Sequence, residues 1–395
     1  MRAILLGAVV LGLCERVGAA DPPLVEKYLH SGELAQGEQA IEARLAAAPK
    51  DDQARFGLGV LRFVRGVERL GQFLHEYGAK SENAHVPFLR LPVPKNPDPA
   101  PITYMALRRG LDDFHRDLAA AELTLAGVTD DNVRLPLRLA SIHLDLDGDG
   151  KATDRFLDLL KAVMQRQRFD FLAGNPDFLV SFDRGDVAWL RAYCHLLMGM
   201  LDLYLAADTE RMFDLTAPDL FARPKRPADG TAEERRNRLS QPPLTITFRE
   251  PARLGRFRQH FIKVAELNRE TWKLVRAETD DDHEWLPNPK QHAVIGLPVR
   301  DEMIDRWLAM MAELEALLKG ERTFLKAFAS KNGKGLDLKA LLDDPPAKLE
   351  IDGGFPHNLP EKYFSDKEDV NLDTVFRVWS LFQDSTAVAY AAWFN

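Results

Sequence analysis

The chain has 395 residues, a length that ordinarily makes two or three domains. Hydrophobic residues make up 46% and charged residues 28%, which excludes disordered, collagenous and low-complexity classes. Asp and Glu (60) outnumber Lys and Arg (52), a net charge of −8 at pH 7, whereas a nucleic-acid-binding chain would carry a basic excess.

Residues 1–20 read as a secretory signal peptide. Arg2 supplies the positive start, Ala3–Leu13 the apolar stretch, and Gly18-Ala19-Ala20 the small residues at which a signal peptidase cuts. The expected location is periplasmic or extracellular, after cleavage near Ala20. The apolar run is too short for a ~30 Å hydrocarbon core, so no stable membrane span is expected. Cys14 falls inside the signal, which leaves Cys194 as the one thiol of the mature chain and permits no internal disulfide. Cys194 sits in an apolar stretch where a buried, inert thiol is expected. His195 follows it directly and points about 100° away on a helix, badly placed to act as its base.

Within residues 21–78, Gly32 and Gly66 are 34 positions apart, and Pro49 follows the first by 17. Two small-residue segments, Glu33–Ala48 and Ala54–Gly59, lie between them, the second running on to Arg65-Gly66. The spacing resembles a tetratricopeptide repeat. That resemblance implies helical hairpins over 32–66, with Pro49 ending a unit and Leu58-Gly59 at a close helix crossing. Gly37 stands where that family has alanine, and Arg55 where it has an aromatic residue. No further unit follows, so a short cap of two or three helices is expected rather than a long groove.

Residues 79–102 hold Pro87, Pro92, Pro94, Pro97, Pro99 and Pro101 and form a long loop. Thr103–Ala126 returns to helical spacing through Leu107, Leu111, Phe114 and Leu118, with Gly127 as a C-cap. Residues 133–146 fit two patterns. Val133, Leu135, Leu137 and Leu139 alternate as in a strand, while Leu135, Leu139, Ile142 and Leu146 fit a helix. The helical surroundings favour a helix despite Pro136.

Asp145-Leu146-Asp147-Gly148-Asp149-Gly150-Lys151 is the sharpest local signal. Alternate aspartates place three carboxylates inside a tight loop, and their mutual repulsion calls for a cation. Residues 145–156 resemble an EF-hand calcium loop in their first half. The resemblance implies one structural Ca2+ held by Asp145, Asp147, Asp149 and the Lys151 carbonyl. Phe156 stands at the twelfth position, where a carboxylate belongs, and Ala152 where a β-branched residue is usual. Asp154 or Asp158 would then complete the shell.

The loop belongs to a central helical region, 103–221. Its strongest helix is Asp186–Ala207, capped by Asp183 or Asp186 and apolar around most of its circumference. Arg191, His195 and Asp202 on it are expected to be hydrogen-bonded core or rim groups. Residues 222–243 carry Arg223, Lys225, Arg226, Arg235, Arg236 and Arg238 and read as a solvated, Pro-rich basic linker. The C-terminal helical region, 244–395, then offers a short strand at Leu244–Phe248 and helices at Arg253–Glu278 and Asp301–Lys319. The second of these is capped by Asp301 and Gly320. A loop-rich stretch over 331–369 precedes a last apolar segment, Leu372–Phe394.

Asp280, Asp281, Asp282, His283 and Glu284 form a second acidic group, ahead of Trp285. It offers metal ligands or a general base but lacks the His-Glu-x-x-His spacing, so a helix-ending acidic loop is expected. No Gly-x-Ser-x-Gly elbow, phosphate loop or dinucleotide fingerprint occurs. This stretch, and the chain as a whole, resembles uncharacterised secreted bacterial proteins, which implies no activity. The expectation is a mainly α protein, an irregular multi-helix array with at most minor β structure. Its expected role is binding or scaffolding toward another protein or a cell-envelope component, with no nucleic acid, and calcium as a structural ion. The rival is a metal-assisted hydrolase using Asp280–Glu284 with His292 or His195.

Overall fold

A computed structural model of the chain describes residues 21–84, 87–163, 170–239, 244–292, 294, 299–324, 326, 332–352 and 355–374. The signal segment, residues 375–394 of the last apolar segment and Asn395 lie outside them. The fold is mainly α. Its helices are α1 (Leu24–Ser31), α2 (Leu34–Ala47), α3 (Asp52–Glu76), α4 (Tyr104–Leu125), α5 (Phe156–Val163) and α6 (Asp170–Gly174). They continue with α7 (Arg184–Ala206), α8 (Glu210–Leu220), α9 (Ala232–Leu239), α10 (Ala252–Ala277), α11 (Asp301–Leu318) and α12 (Leu338–Asp343).

Helices α3, α4, α7 and α10 pack in succession through the main core. Side-chain caps start three of them: Asp51 accepts from Ala54 N–H (2.9 Å), Thr103 from Ala106 N–H (3.1 Å), and Asp183 forms a capping box with Asp186. Glycines set the separations. A Cβ at Gly59 on α3 would lie 2.5 Å from Leu125 Cγ on α4, and one at Gly199 on α7 would lie 2.7 Å from the Phe261 ring on α10.

Helix α3 runs unbroken through Gly66, where the repeat spacing expected an end. A Cβ at Gly66 would sit 3.0 Å from Asp117 Cβ on α4, so this glycine admits a neighbouring helix rather than stopping its own. Gly37 has a similar origin, since a Cβ there would lie 2.6 Å from Tyr28 Cβ on α1.

The helix expected over 133–146 is not formed. Strand β1 (Leu135–Leu137) pairs antiparallel with β4 (Val180–Phe182), and β2 (His143–Leu144) with β3 (Asp154–Arg155). Leu135 and Leu137 are buried on either side of Pro136, so the period-two pattern prevailed. Proline costs such a two-stranded pair little, because one side of β1 needs no donor to a further strand.

The basic segment 222–243 is more than a solvated linker over its described part. Arg223 and Lys225 exchange backbone hydrogen bonds with Ile102 in the Pro-rich loop (2.9 Å each), and Arg235 is buried against Asp219 of α8. In the C-terminal region, β5 (Leu244–Thr247), β7 (Lys348–Asp352) and β8 (Phe355–His357) form an antiparallel sheet in the order β5-β7-β8. A second pair, β6 (Gly335–Leu336) with β9 (Phe364–Ser365), adjoins a small core of Leu336, Leu341, Leu359 and Tyr363. Arg300, not Asp301, occupies the N-cap position of α11, and Gly320 follows its end at φ 71°. Among the described residues no helix is long and apolar enough to cross a membrane.

Candidate ligand cavity and its buried carboxyls

The start of α7 gathers acids. Asp183 Oδ1 accepts from Gly185 N–H (2.7 Å) and Asp186 N–H (3.3 Å), and Asp186 Oδ2 accepts from Asp183 N–H (3.0 Å). Glu278, at the end of α10, and Glu284 bring carboxylate oxygens within 4.8 Å of Asp183 and of each other. Gly185 leaves the room they need, since a Cβ there would lie 3.2 Å from both Asp183 Oδ1 and Glu278 Oε1. Arg134 bridges Asp183 (3.2 Å) and Asp280 (2.9 Å). Burial, reinforced by the Asp183 carboxylate, pushes Glu278 up to about 10 and holds Asp186 well above the usual range. Burial followed by the Asp183 and Asp280 charges raises Glu284 to about 7. The raised Glu278 carboxyl faces Asp183 within the cluster.

Asp186 is 3% exposed, and its Oδ1 has no hydrogen-bond partner. The residue lines a cavity of about 210 Å3 between α3, α4, α5, α7 and the β1–β4 pair, with Phe88, Leu91 and Trp285 also in the lining. Asp186 carries the one carboxyl among the described lining residues; the rest of the wall is aliphatic and aromatic. Trp189 stacks on Tyr193 (5.6 Å between centroids) and meets Trp285 edge-on (5.9 Å), which gives the cavity an aromatic side. An apolar chamber with one convergent polar group is the usual form of a small-molecule site.

The aspartate loop joins β2 to β3, so a strand leads into it where an EF-hand has a helix. Asp145, Asp147 and Asp149 bring oxygens within 4.8 Å of one another. Gly148 and Gly150 adopt φ 74° and 86°, and Asp145 accepts from both of their N–H groups (2.8 and 3.0 Å). Lys151 sends its N–H to Asp149 (2.8 Å), with its ammonium 3.4 Å from the same carboxylate. Asp154, whose carboxylate accepts from Leu146 N–H (3.1 Å), and Asp158 on α5 do not join the trio. Helix α3 anchors the loop: Gln72 donates to the Asp145 carbonyl (2.8 Å), and Glu68 accepts from Asp145 N–H (2.9 Å). Burial and then the Asp145 charge raise Glu68 to about 7.

The second acidic group divides. Glu284 turns into the buried cluster and Asp280 pairs with Arg134, but Asp281 accepts from the exposed His292 ring (2.6 Å) at the surface. Asp282 and His283 are exposed, and His283 takes φ 61° beside Phe178. His195 lies nine residues past Asp186 on α7, roughly 13 Å along its axis. These carboxylates and histidines therefore do not meet in one cleft. Cys194 is fully buried, and burial followed by the Glu122 charge pushes its thiol up, consistent with an inert sulfur. Sequence reasoning took Asp183 and Asp186 for caps and missed Glu278. The cap pattern of the first two was visible, but nothing local marked them as cavity groups.

These features define a helical protein built around an apolar chamber with a buried acid in its wall. No family model matches the chain, no curated protein is similar to it, and no solved structure resembles it.

Proposed function

We propose that this chain is a binding protein that takes up a small apolar molecule carrying one hydrogen-bond acceptor. The observation that carries the reading is the cavity of about 210 Å3 with the unpartnered Asp186 Oδ1 in an otherwise apolar wall. A dry engineered cavity of about 150 Å3 already holds benzene, so this space suits a bicyclic ring or an acyl chain of similar bulk. Asp186 stays protonated in its acidic, apolar surroundings and donates to a ketone or hydroxyl oxygen. The aspartate loop is the structural calcium site of the same protein, a reading supported by the convergence of Asp145, Asp147 and Asp149.

The test is a titration of the full chain with tetralin, 1-tetralone and 2-aminotetralin, followed by the fluorescence of Trp189 and Trp285. One-to-one binding is expected, with the ketone preferred over the hydrocarbon by the 2- to 13-fold that about 0.5–1.5 kcal/mol of hydrogen bond gives. Asp186→Leu should erase that preference and leave tetralin bound. A preference for the amine would overturn the neutral anchor, and the absence of saturable binding would overturn the cavity reading.

A further inference from the structure

Three helices carry polar residues seven positions apart on faces that meet: His115 and Glu122 on α4, His195 and Asp202 on α7, and Arg253 and His260 on α10. Neighbouring helices run antiparallel. Asp202 therefore meets His115 and Arg253, while His195 meets Glu122 and His260. Gly199 admits the third helix at this level, since a Cβ there would lie 3.3 Å from His260 Cβ.

The Asp202 side chain is fully buried, and Nε2 of His115 and Nε2 of His260 each lie 3.6 Å from its Oδ2. That separation is too long for a hydrogen bond. It is close to the spacing of two ligands on one tetrahedral ion, about 3.3–3.4 Å at bond lengths of about 2.0–2.1 Å. All three ligand atoms fall within 4.8 Å of one another. His115 Nε2 is buried and has no hydrogen-bond partner. His260 uses Nδ1 on His195 Nδ1 (2.8 Å), and His195 Nε2 in turn faces Glu122 (3.4 Å). Such an outer chain fixes the ring and leaves Nε2 as the ligating atom.

With Nδ1 engaged by His195, the His260 ring presents Nε2 toward Asp202 and His115. Arg253 holds the other Asp202 oxygen, Oδ1 (2.9 Å), and is itself offset by Asp112 and Glu250 (2.7 Å each). Arg191 is offset by Glu122 (3.0 Å). Arg256 also donates to both Asp202 oxygens, Oδ2 and Oδ1 (3.3 Å each), from a half-exposed side chain, and binding of an ion requires it to leave Oδ2.

We propose that His115, His260 and Asp202 form a binding site for one divalent transition-metal ion, with zinc as the reference ion and a fourth position open to water or substrate. Two imidazoles and a carboxylate suit zinc and its neighbours better than calcium, which takes oxygen ligands alone.

The test starts from the full chain after chelator treatment. Titration with Co2+ should develop the visible absorption of a low-symmetry nitrogen–oxygen site at one equivalent, and Zn2+ should displace it. His115→Gln should weaken binding by more than the about 10- to 100-fold that loss of an outer-shell partner costs, and Glu122→Gln by an amount within that range. His260→Gln should behave as His115→Gln; if it fails to fold, the partly exposed His115 variant decides alone. Asp147→Ala with Asp149→Ala, and separately Glu284→Gln, should leave the signal intact. No Co2+ spectrum at one equivalent, or one that survives His115→Gln, overturns the site.

Discussion

Lowering the pH from 7.5 to 5 should stabilise this protein. Glu68 and Glu284 are 8% and 3% exposed, and each has its folded-state pKa raised from 4.5 to about 7. A carboxyl that binds its proton more tightly when folded loses stability as pH rises through the interval between the two values. Between pH 5 and 7.5 the loss is about 2 kcal/mol for each group, at 1.36 kcal/mol per unit. Glu278 and Asp186, also raised, act in the same direction. His260 opposes them. Its pKa falls from 6.5 to about 4 on folding, so acidification to pH 5 costs about 2 kcal/mol there, and His30 is shifted in the same sense. Glu68, Glu284 and His260 together leave a net gain of about 2 kcal/mol, to which Glu278 and Asp186 add. Below pH 4 it reverses, as carboxylates held low by their partners, such as Asp52, Glu122 and Asp202, take up protons. Urea unfolding at pH 7.5, 6 and 5 measures the profile. Glu68→Gln and Glu284→Gln should each flatten it by about 2 kcal/mol. A wild-type profile that is flat or rises toward pH 7.5, with unchanged slopes in both variants, would refute the assignment of neutral buried acids.

Calcium added to the chelator-treated chain should raise its melting temperature, by the equivalent of about 2.7 kcal/mol at a hundredfold excess over Kd, and magnesium less. Asp147→Ala with Asp149→Ala should abolish the rise; a curve indifferent to millimolar calcium leaves the loop a hydrogen-bonded turn. Gly37→Ala restores the alanine usual in tetratricopeptide repeats and gains about 1 kcal/mol of helix propensity, but crowding against Tyr28 costs about 1–3 kcal/mol. The variant should therefore melt lower, and a higher midpoint would contradict the close approach of α1 to α2. Gly32→Ala should cost more, at least about 2 kcal/mol in urea unfolding. It combines a φ of 70° with a Cβ 2.0 Å from that of Ala152, and an unchanged midpoint would remove that contact.

Helices legible from periodicity and caps formed where expected: Thr103 opens α4 and Asp183 opens α7. Local signals carried less far where neighbours decide. Gly66 and Gly37 carry one meaning in a repeat pattern and another when a packed helix needs the space of a missing Cβ. Residues 133–146 satisfied both periods, and the partner that chose between them, Val180–Phe182, lies more than forty positions on. The two motif regions meet in space, for Ala152 is small where the loop touches Gly32 at the end of α1. The aspartate trio was readable because its members are contiguous. The cavity wall was not, because it gathers residues from α3, α4, α5 and α7, nor was the metal-ligand set, because α4, α7 and α10 contribute residues 58 to 145 positions apart. The recurring seven-residue spacing of polar groups on those three helices was the one available signal.

Asp186 and Asp202 sit on the same 23-residue helix and are both buried, yet their surroundings drive them in opposite directions. Burial alone raises both. At Asp202 it is outweighed by the hydrogen bond from Arg253 and the nearby Arg256 charge, so the charge persists and the group is fit to hold a cation. At Asp186 the nearest charges are Asp183 and Glu284, which add to burial, so the group stays neutral and is fit to donate to an uncharged oxygen. A buried carboxyl of either kind is costly unless its environment settles its charge. Helix α7 settles it twice, at positions sixteen residues and roughly 24 Å apart along the axis. Two chemically distinct sites can therefore occupy one helix without sharing a residue, and each can be tested without disturbing the other.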